Sequence, residues 1–251
     1  MKIIKIPSSQ GSLDKNLGCE KAPEVLCREL GVEGEEVEVV AGDIVATDGN
    51  VYSKAREVIR ENPFFMGGDH SITYSLFRAF SENFENSSLI VFDAHADAMK
   101  GIKPVSHEDM NRELIDDGLL EKEKLLLVGL RKIWEQEQEF LEEKGIKAIN
   151  SRKIHNDFDK AKIEMKNFVE EQNHIYLSID LDVLDPKIFP ATGYLERGGL
   201  SVDQLLELIG LVFLSGKVRA IDLVEFNPEK DEDGKGLVAA KKVTEKIVNS
   251  I

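Results

Sequence analysis

Aspartate and histidine residues recur at alternate positions in two segments of the chain, and this spacing is suited to metal binding. Asp93, His95 and Asp97 alternate with alanine, and Asp180 and Asp182 repeat the spacing further along. In an extended segment, residues two apart project from the same face. Carboxylates that are gathered on apolar strands repel one another unless they are protonated or neutralised. The two segments therefore predict a bound cation.

A further histidine enlarges the candidate ligand set to two imidazoles and four carboxylates: His70, Asp93, His95, Asp97, Asp180 and Asp182. Six side chains are too many for one tetrahedral zinc ion but suit two divalent ions that share carboxylates. The four aspartates carry a charge of −4, which two such ions balance. Oxygen-rich ligation with some imidazole favours Mn²⁺ over zinc. Because two adjacent ions lower the pKa of a water between them, the set predicts metal-activated hydrolysis.

Short apolar runs alternate with longer amphipathic segments along the chain. The expected strands cover residues 2–6, 37–40, 64–66, 89–93, 125–129, 147–149, 175–180 and 218–224, and several, such as LIVF at 89–92, are continuously hydrophobic. Such runs are typical of strands buried on both faces of a parallel sheet. Ser71 and Ser201 are expected as N-caps of two helices. The expected helices lie near 22–30, 51–61, 72–84, 108–118, 134–144, 158–171, 202–213 and 236–249.

This alternation predicts an α/β fold, a three-layer αβα sandwich around a central, mostly parallel sheet of about eight strands, with residues 1–251 as a single domain. Ligands of such sheets bind beyond the carboxyl ends of the strands. Polar clusters follow four of the expected strands: GGDHS at 67–71, DAHAD at 93–97, SIDLDVLDP at 178–186 and EFNP at 225–228. We therefore expect the clusters to meet at one edge. The charged run at 137–144 is interpreted as a solvated helix face, and Trp134 as a core residue.

The composition limits the classes of protein and partner. The 251 residues carry 47 acidic and 32 basic side chains, a formal charge of −15, which disfavours a nucleic acid as partner and favours a cationic ligand. No apolar run approaches the roughly 20 residues of a membrane helix, and the first residues lack a signal-peptide core, so no membrane association is expected. Cys19 and Cys27 form neither a disulfide framework nor a CxxC pair, which predicts a cytoplasmic location.

Together, the polar clusters resemble the arginase/agmatinase (ureohydrolase) family. The resemblance rests on GGDHS, DAHAD and SIDLDVLDP in the family's order, followed by LVEFNP at 223–228. It extends to GCEKAPEVL at 18–26 and DGKGLVAA at 233–240. The resemblance implies an arginase-like fold, a homo-oligomer (trimer or hexamer), and cleavage of a guanidino compound to urea and an amine.

The resemblance also implies roles for single residues. Glu225 would face the substrate guanidinium, which a carboxylate can hold through two hydrogen bonds. His107 would pass a proton to the leaving amine, because the pKa of imidazole lies near neutrality. Asp69 and Asp185 match motif positions that are not ligands and are expected in caps or turns. The resemblance implies two manganese ions. One would be bound by His70, Asp93, Asp97 and Asp180, and the other would be bound by Asp93, His95, Asp180 and Asp182.

The segments around the metal motifs favour agmatine or a related amine-tailed guanidine as the substrate. Arginases typically carry an asparagine two positions past the Asp-x-His-x-Asp motif, where it helps to hold an amino-acid head group, and this chain has Met99 there. Tyr194 and Leu195 depart from the Thr-Pro that many relatives have after Thr-Gly, and Glu108 departs from a glycine that often follows the histidine. We expect Tyr194 and Glu196 at the pocket mouth, where Glu196 would meet a substrate ammonium group.

Other functions stay open beside this one. An arginase would use the same metal set on arginine. Formiminoglutamate hydrolysis also uses it but requires a cation for two carboxylates, and Arg112 and Arg197 are the nearby candidates. A catalytically inactive regulator or scaffold could retain the metal site. A deacetylase relative would need only a single Asp-His-Asp set, so His70 and the additional ligands argue against that class.

Overall fold

The central element of the computed structural model, which describes residues 2–101 and 103–250, is a parallel β-sheet. Within these residues the sheet has eight strands in the order β2-β1-β3-β8-β7-β4-β5-β6, and the paired strands run parallel. In chain order the strands are β1 Ile3–Ile6, β2 Glu35–Glu36, β3 Phe64–Gly67, β4 Ser87–Phe92, β5 Leu125–Val128, β6 Lys147–Ile149, β7 His174–Asp180 and β8 Val218–Val224.

Helices cover both faces of the sheet. They are α1 Ala22–Leu30, α2 Ile44–Val58, α3 Ile72–Ser81, α4 Met110–Asp116, α5 Glu135–Lys144, α6 Ser151–Asn156, α7 Phe158–Glu170, α8 Val202–Leu214 and α9 Lys235–Val248. Residues from α1, α7, α8 and α9 pack in one hydrophobic core, and residues from α2, α3, α4 and α5 pack in the other. The predicted three-layer α/β fold is confirmed.

Strand β4 shows why the strand sequences are continuously apolar. Its side chains alternate between the two cores, with Ile90 and Phe92 in one and Leu89 and Val91 in the other. All of these side chains are fully buried. Because both faces of the strand are covered by helices, neither alternate position is free to be polar.

The strands that carry the polar clusters are neighbours in the middle of the sheet. β3, β8, β7 and β4 are consecutive in the sheet order. Parallel pairing brings their carboxyl ends to one edge: Met66 is opposite Leu223, Asp180 is opposite Val224, and Phe92 is opposite Ile179. The expectation that the four clusters meet at one edge is therefore confirmed.

Several local predictions were wrong. The strand expected at 37–40 lies instead at Glu35–Glu36. The helix expected at 51–61 begins at Ile44, because the Asp43 carboxylate caps it by accepting a hydrogen bond from the Ala46 N–H. Helix α6 was not expected. Ser201 caps α8 as predicted, whereas the Ser71 side chain forms no such bond at the start of α3.

Two side chains also differ from their predicted surroundings. Trp134, expected in the core, is 55% exposed. Glu137, expected on a solvated helix face, is only 2% exposed, because its carboxylate is directed into the protein. Across the described ranges, no helix combines the length and the apolar character that a membrane crossing requires.

Candidate active site

The loop after β3 brings His70 to the edge of the sheet. This loop lies very close to the N-terminal segment, since a Cβ on Gly68 would lie only 1.9 Å from the Ser8 carbonyl oxygen. Asp69 holds the loop from inside: one carboxylate oxygen accepts from the Gly11 N–H at 3.1 Å and the other from the Ser71 N–H at 2.9 Å. Asp69 therefore acts in the turn, as expected from its motif position, and not among the candidate ligands.

The six candidate metal ligands converge at the carboxyl ends of β3, β4 and β7. Nδ1 of His70 lies 3.1 Å from Asp93 Oδ2, 2.9 Å from Asp97 Oδ2 and 3.4 Å from Asp180 Oδ2. Nδ1 of His95 lies 3.4 Å from Asp93 Oδ1 and 2.9 Å from Asp182 Oδ2. Two groups could each hold an ion and share Asp93: one is His70, Asp93 and Asp180, and the other is Asp93, His95 and Asp182.

Backbone hydrogen bonds hold these carboxylates in place. Asp93 Oδ1 accepts from the His95 N–H at 2.6 Å, and Asp180 Oδ1 accepts from the Asp182 N–H at 2.7 Å. Asp182 in turn accepts from the Ala94 N–H at 3.0 Å and so connects the loop after β7 to the loop after β4. Each of these aspartates has a second oxygen that faces a histidine Nδ1. The arrangement is preorganised for a cation.

The protonation equilibria of the cluster indicate that a cation fits there. Burial, followed by the charges of Asp182 and Asp93, raises the pKa of Asp180 well above its ordinary value. Burial and the charge of Asp93 raise the pKa of Asp97 to about 8. His70 Nδ1 and Asp93 Oδ2 are buried, and neither has a hydrogen-bond partner among the described residues. Divalent ions would neutralise the crowded carboxylates, and these two unpaired atoms would act as ligands to them.

Backbone strain marks two of the site residues. Asp97 has a φ of 46° and Glu225 a φ of 66°, in the left-handed region that non-glycine residues rarely adopt. Such conformations cost about 1–3 kcal/mol and persist where the surrounding structure enforces them, which is frequently at functional sites. At Glu225 the enforcing contact includes a 2.7 Å hydrogen bond from its N–H to the carbonyl oxygen of Gly68.

A buried polar network supports His70 from below. Its Nε2 lies 2.9 Å from the Ser178 hydroxyl, which donates to Asp222 Oδ1 at 2.6 Å. Hydroxyl groups of Thr73 and Tyr176 donate to the other Asp222 oxygen at 2.8 Å and 2.7 Å. Burial raises the pKa of Asp222, and the hydroxyl donors oppose that shift. Sequence reasoning missed Asp222, although a lone acid within an apolar strand was the available signal.

Glu225 and His107 form a second buried pair beside the candidate ligands. Glu225 Oε1 lies 3.3 Å from His107 Nδ1 and accepts from the His70 N–H at 2.9 Å. Glu225 Oε2 accepts from Asn16 Nδ2 at 2.6 Å. Because each carboxylate oxygen accepts about two hydrogen bonds, Oε2 keeps an acceptor position for a further donor. Asn16, which no motif indicated, is thus part of the site.

The His107 imidazole is suited to carrying a proton. Burial opposes its charged form, but the hydrogen bond and charge of Glu225 outweigh burial and raise the pKa of His107 to about 9. Its Nε2 is buried, with no hydrogen-bond partner in the described part of the chain. With Nδ1 occupied by Glu225, Nε2 is the nitrogen available to a reacting group.

A pocket opens above these residues. Its walls include His107 and candidate ligands at the buried end and, towards the mouth, at least partly exposed residues of three loops: Met99, Glu108, Lys132, Trp134, Tyr194 and Glu196. The Tyr194 ring stacks on that of His107, with centroids 5.8 Å apart and planes at 25°. Tyr194 and Glu196, the two predicted substrate-binding residues of the mouth, are among the residues that line this pocket. The sequence interpretation missed Lys132 and Trp134, whose ammonium and ring lie 4.3 Å apart.

Three further side chains hold the pocket loops. Glu137 accepts from the backbone N–H groups of Ala98 at 3.0 Å and Trp134 at 2.9 Å. Arg131 donates to backbone carbonyls, among them that of Glu196 at 3.0 Å. Asp185 accepts from backbone N–H groups on both sides of the following loop, which agrees with its expected role in a turn. These residues fix the loops around the pocket, and Glu137 also lines it.

Fold and site together define a parallel α/β protein with a candidate metal centre at the carboxyl edge of its sheet. Comparison with known proteins identifies the family. The sequence model of a protein family, described as "Arginase family", matches residues 3–249 of this chain. The chain belongs to the arginase family.

The similar proteins differ in their described activities. "Arginase 1, mitochondrial" of Oryza sativa subsp. indica is 33% identical over 226 residues, with 87% of this chain and 62% of the relative covered. "Agmatinase" of Bacillus anthracis is 30% identical over 249 residues, with 93% and 81% covered. This chain thus spans less than two thirds of the length of the plant arginases that it matches.

A solved structure supports the fold. The formimidoylglutamase of Bacillus subtilis subsp. subtilis str. 168 superimposes with a TM-score of 0.88 at 22% identity, covering 99% of this chain and 86% of that one. At this level of identity the likeness extends to the fold and not to the substrate.

Proposed function

We propose that this chain is a ureohydrolase, which hydrolyses a guanidino compound to urea and an amine. The observation that carries the proposal is the meeting of two candidate metal-binding groups with the Glu225–His107 pair at the inner end of one pocket. A regulator or scaffold would need the metal groups for stability but would have no use for a buried histidine with a free Nε2 beside them.

The proposed metal content is two Mn²⁺ ions per chain. Asp93 and Asp180 would be shared by both ions, and oxygen-rich ligation with two imidazoles suits manganese. When bound, the pair of ions would supply a water activated for attack at neutral pH. As the family resemblance implies, one ion would be held by His70, Asp93, Asp97 and Asp180, and the other by Asp93, His95, Asp180 and Asp182.

The chain's own residues would bind the guanidinium and move the proton. Oε2 of Glu225 keeps a free acceptor position and would take an N–H of the guanidinium, while Oε1 holds His107. His107 would donate the proton on Nε2 to the amine as the C–N bond breaks, and Glu225 stabilises the charged imidazolium. Tyr194, stacked on His107, would bound the space beside the reacting carbon.

For the substrate we propose agmatine or a related amine-tailed guanidine. Glu108 and Glu196 place carboxylates in the outer pocket, where a terminal ammonium group would lie. The likeness to an agmatinase over most of both chains agrees with this substrate. Arginine is the second candidate, because Lys132 brings a cation into the same pocket that could receive an α-carboxylate.

Formiminoglutamate is disfavoured as the substrate. Neither expected cation, Arg112 or Arg197, is among the residues described as lining the pocket. Arg112 is engaged elsewhere: its Nε donates to Asp116 at 3.2 Å, and its guanidinium lies 4.6 Å from the centre of the Phe140 ring. Lys132 is the one lysine or arginine among the described residues that line the pocket, so both carboxylates of such a substrate would have to share it.

Urea release from a panel of guanidines tests the proposal. We expect Mn²⁺-loaded protein to release urea from agmatine faster than from arginine, guanidinobutyrate or guanidinopropionate. His107→Asn should lower kcat about 100-fold or more, since general acid catalysis contributes that much, while the bound manganese stays unchanged. His155→Asn, at an exposed histidine, is the matched control. Absence of urea from every substrate would refute the ureohydrolase, and activity on arginine alone would refute the amine tail.

We also propose that the chain assembles into a homo-oligomer, a trimer or hexamer, and acts in the cytoplasm. Support for assembly comes from the family resemblance, and support for the compartment from the cysteine pattern. Light scattering of the purified protein would test the assembly: a monomer at micromolar concentration would refute it.

A further inference from the structure

A contact between two distant loops lies at the mouth of the pocket. The Tyr194 hydroxyl donates to Glu108 Oε1 at 2.9 Å, although the two residues are 86 positions apart. Both positions depart from the family pattern in the sequence. The contact brings the two departures together beside His107, so they form one structural unit in this chain.

Glu108 is held rigidly for a side chain at a pocket mouth. Its carbonyl oxygen accepts from the Met99 N–H at 3.0 Å, and its N–H donates to the Ser106 hydroxyl at 3.3 Å. The tyrosine contact then fixes the carboxylate through Oε1. A carboxylate that is already immobilised loses little conformational entropy when it binds a cation.

The tyrosine is itself fixed by its surroundings. Its ring centre lies 5.8 Å from that of His107 and 5.4 Å from that of His95. The ring therefore fills the space next to the proposed proton donor, and its hydroxyl reaches outward to Glu108. Substrate atoms attached to the guanidinium would pass this ring before reaching the outer carboxylates.

Glu196 lines the same pocket but is held differently. Its backbone oxygen accepts from Arg131 Nε at 3.0 Å, whereas its side chain has no hydrogen-bond partner among the residues that the structure describes. Ordering this side chain around an ammonium group would cost conformational entropy that Glu108 has already lost. Preorganisation therefore favours Glu108 as the residue that recognises the tail.

We propose that Glu108 determines substrate specificity by binding a terminal ammonium group through its free oxygen, and that Tyr194 is the positioning residue that holds it. The inference rests on the proposed function, since it assigns the tail of the same substrate. It names the substrate class as a guanidine whose alkyl chain ends in a second cation. Glu196 would contribute less than Glu108 to the binding of that cation.

Binding of amines, the class of product expected, tests the inference without turnover. Isothermal titration of the Mn²⁺-loaded protein should show 1,4-diaminobutane binding about tenfold more tightly than n-butylamine, because a hydrogen bond between charged groups contributes about that much. Glu108→Gln should abolish this preference, so that the two amines bind with about equal affinity. Tyr194→Phe, which keeps the ring and removes the hydroxyl, should reduce it partly, and Glu196→Gln, which removes the competing carboxylate of the same pocket, should leave most of it. Glu61→Gln, at an exposed glutamate outside the pocket, is the matched control that should preserve it fully.

Kinetics give an independent readout. For agmatine compared with n-butylguanidine, whose tail is neutral, Glu108→Gln should raise KM for agmatine about tenfold and leave kcat and the values for n-butylguanidine unchanged. A variant that is merely misfolded would lose activity on both compounds equally.

Failure of this inference is distinguishable from failure of the proposed function. An unchanged preference in Glu108→Gln, a lost preference in Glu196→Gln, or no preference in the unaltered protein overturns the role of Glu108, even where urea is released. A preference that depends on Glu108 in a protein that releases no urea supports the cation site and refutes the ureohydrolase.

Discussion

The network behind His70 leads to a prediction about how strongly the protein binds metal. Ser178 has one hydroxyl proton, and it is donated to Asp222 at 2.6 Å. The hydroxyl oxygen can then only accept from His70 Nε2, which lies 2.9 Å away. This keeps the proton on Nε2 and leaves the lone pair of Nδ1 directed at Asp93 and Asp180. Asp222 therefore selects the tautomer that can ligate a cation.

Asp222→Asn should weaken metal binding through this tautomer. An amide replaces one acceptor oxygen with an NH₂ donor, so the Ser178 proton can turn towards His70 and favour a proton on Nδ1. Loss of such an outer hydrogen-bond partner typically lowers metal affinity about 10–100-fold, or about 1.4–2.8 kcal/mol. Titration of Mn²⁺ into EDTA-stripped protein, with dialysed samples assayed for metal, would measure the change.

A double-mutant cycle separates this mechanism from general damage to the core. If Asp222 acts through Ser178, the affinity losses of Asp222→Asn and Ser178→Ala should not add in the double variant. Tyr176→Phe removes another donor to the same carboxylate and should lower thermal stability while preserving metal affinity. Additive losses, or wild-type affinity in Asp222→Asn, would refute the reasoning.

Other perturbations test separate parts of the structure. Asp93→Asn should lower the bound manganese from two ions per chain to less than one and abolish urea release, because both candidate groups share Asp93; two retained ions by metal analysis would contradict this. Burial and the charge of Asp69 raise the pKa of Asp48 from 3.8 to about 7, so its carboxylate opposes folding increasingly from about pH 4 to pH 7. Asp48→Asn should therefore raise the Tm of EDTA-treated protein at pH 8 and not at pH 4, and an equal rise at both would count against it. Glu137→Ala should lower the free energy of unfolding by about 2 kcal/mol, because it leaves the Ala98 and Trp134 N–H groups without their acceptor. An unchanged midpoint of urea denaturation would disprove that.

Local sequence patterns were sufficient for the elements that carry the site. Strands such as β4 are continuously apolar because helices cover both faces, and that requirement is visible in the residues themselves. Helix α2 shows where such patterns fail. The stretch from Thr47 to Asn50 contains weak helix formers, yet the Asp43 cap and the buried Val51 and Ala55 hold it in the helix.

The types of candidate ligand, their spacing and the strand ends that bear them were determined by the sequence alone, because carboxylates gathered after buried strands repel one another unless they are protonated or neutralised by a cation. Only the tertiary structure decided which distant residues meet. Tyr194 contacts Glu108, and Ser178 connects Asp222 to His70, through hydrogen bonds between separate loops and strands. These contacts depend on sheet order and register, which arise from the packing of the whole chain and leave no periodic signal in any one segment.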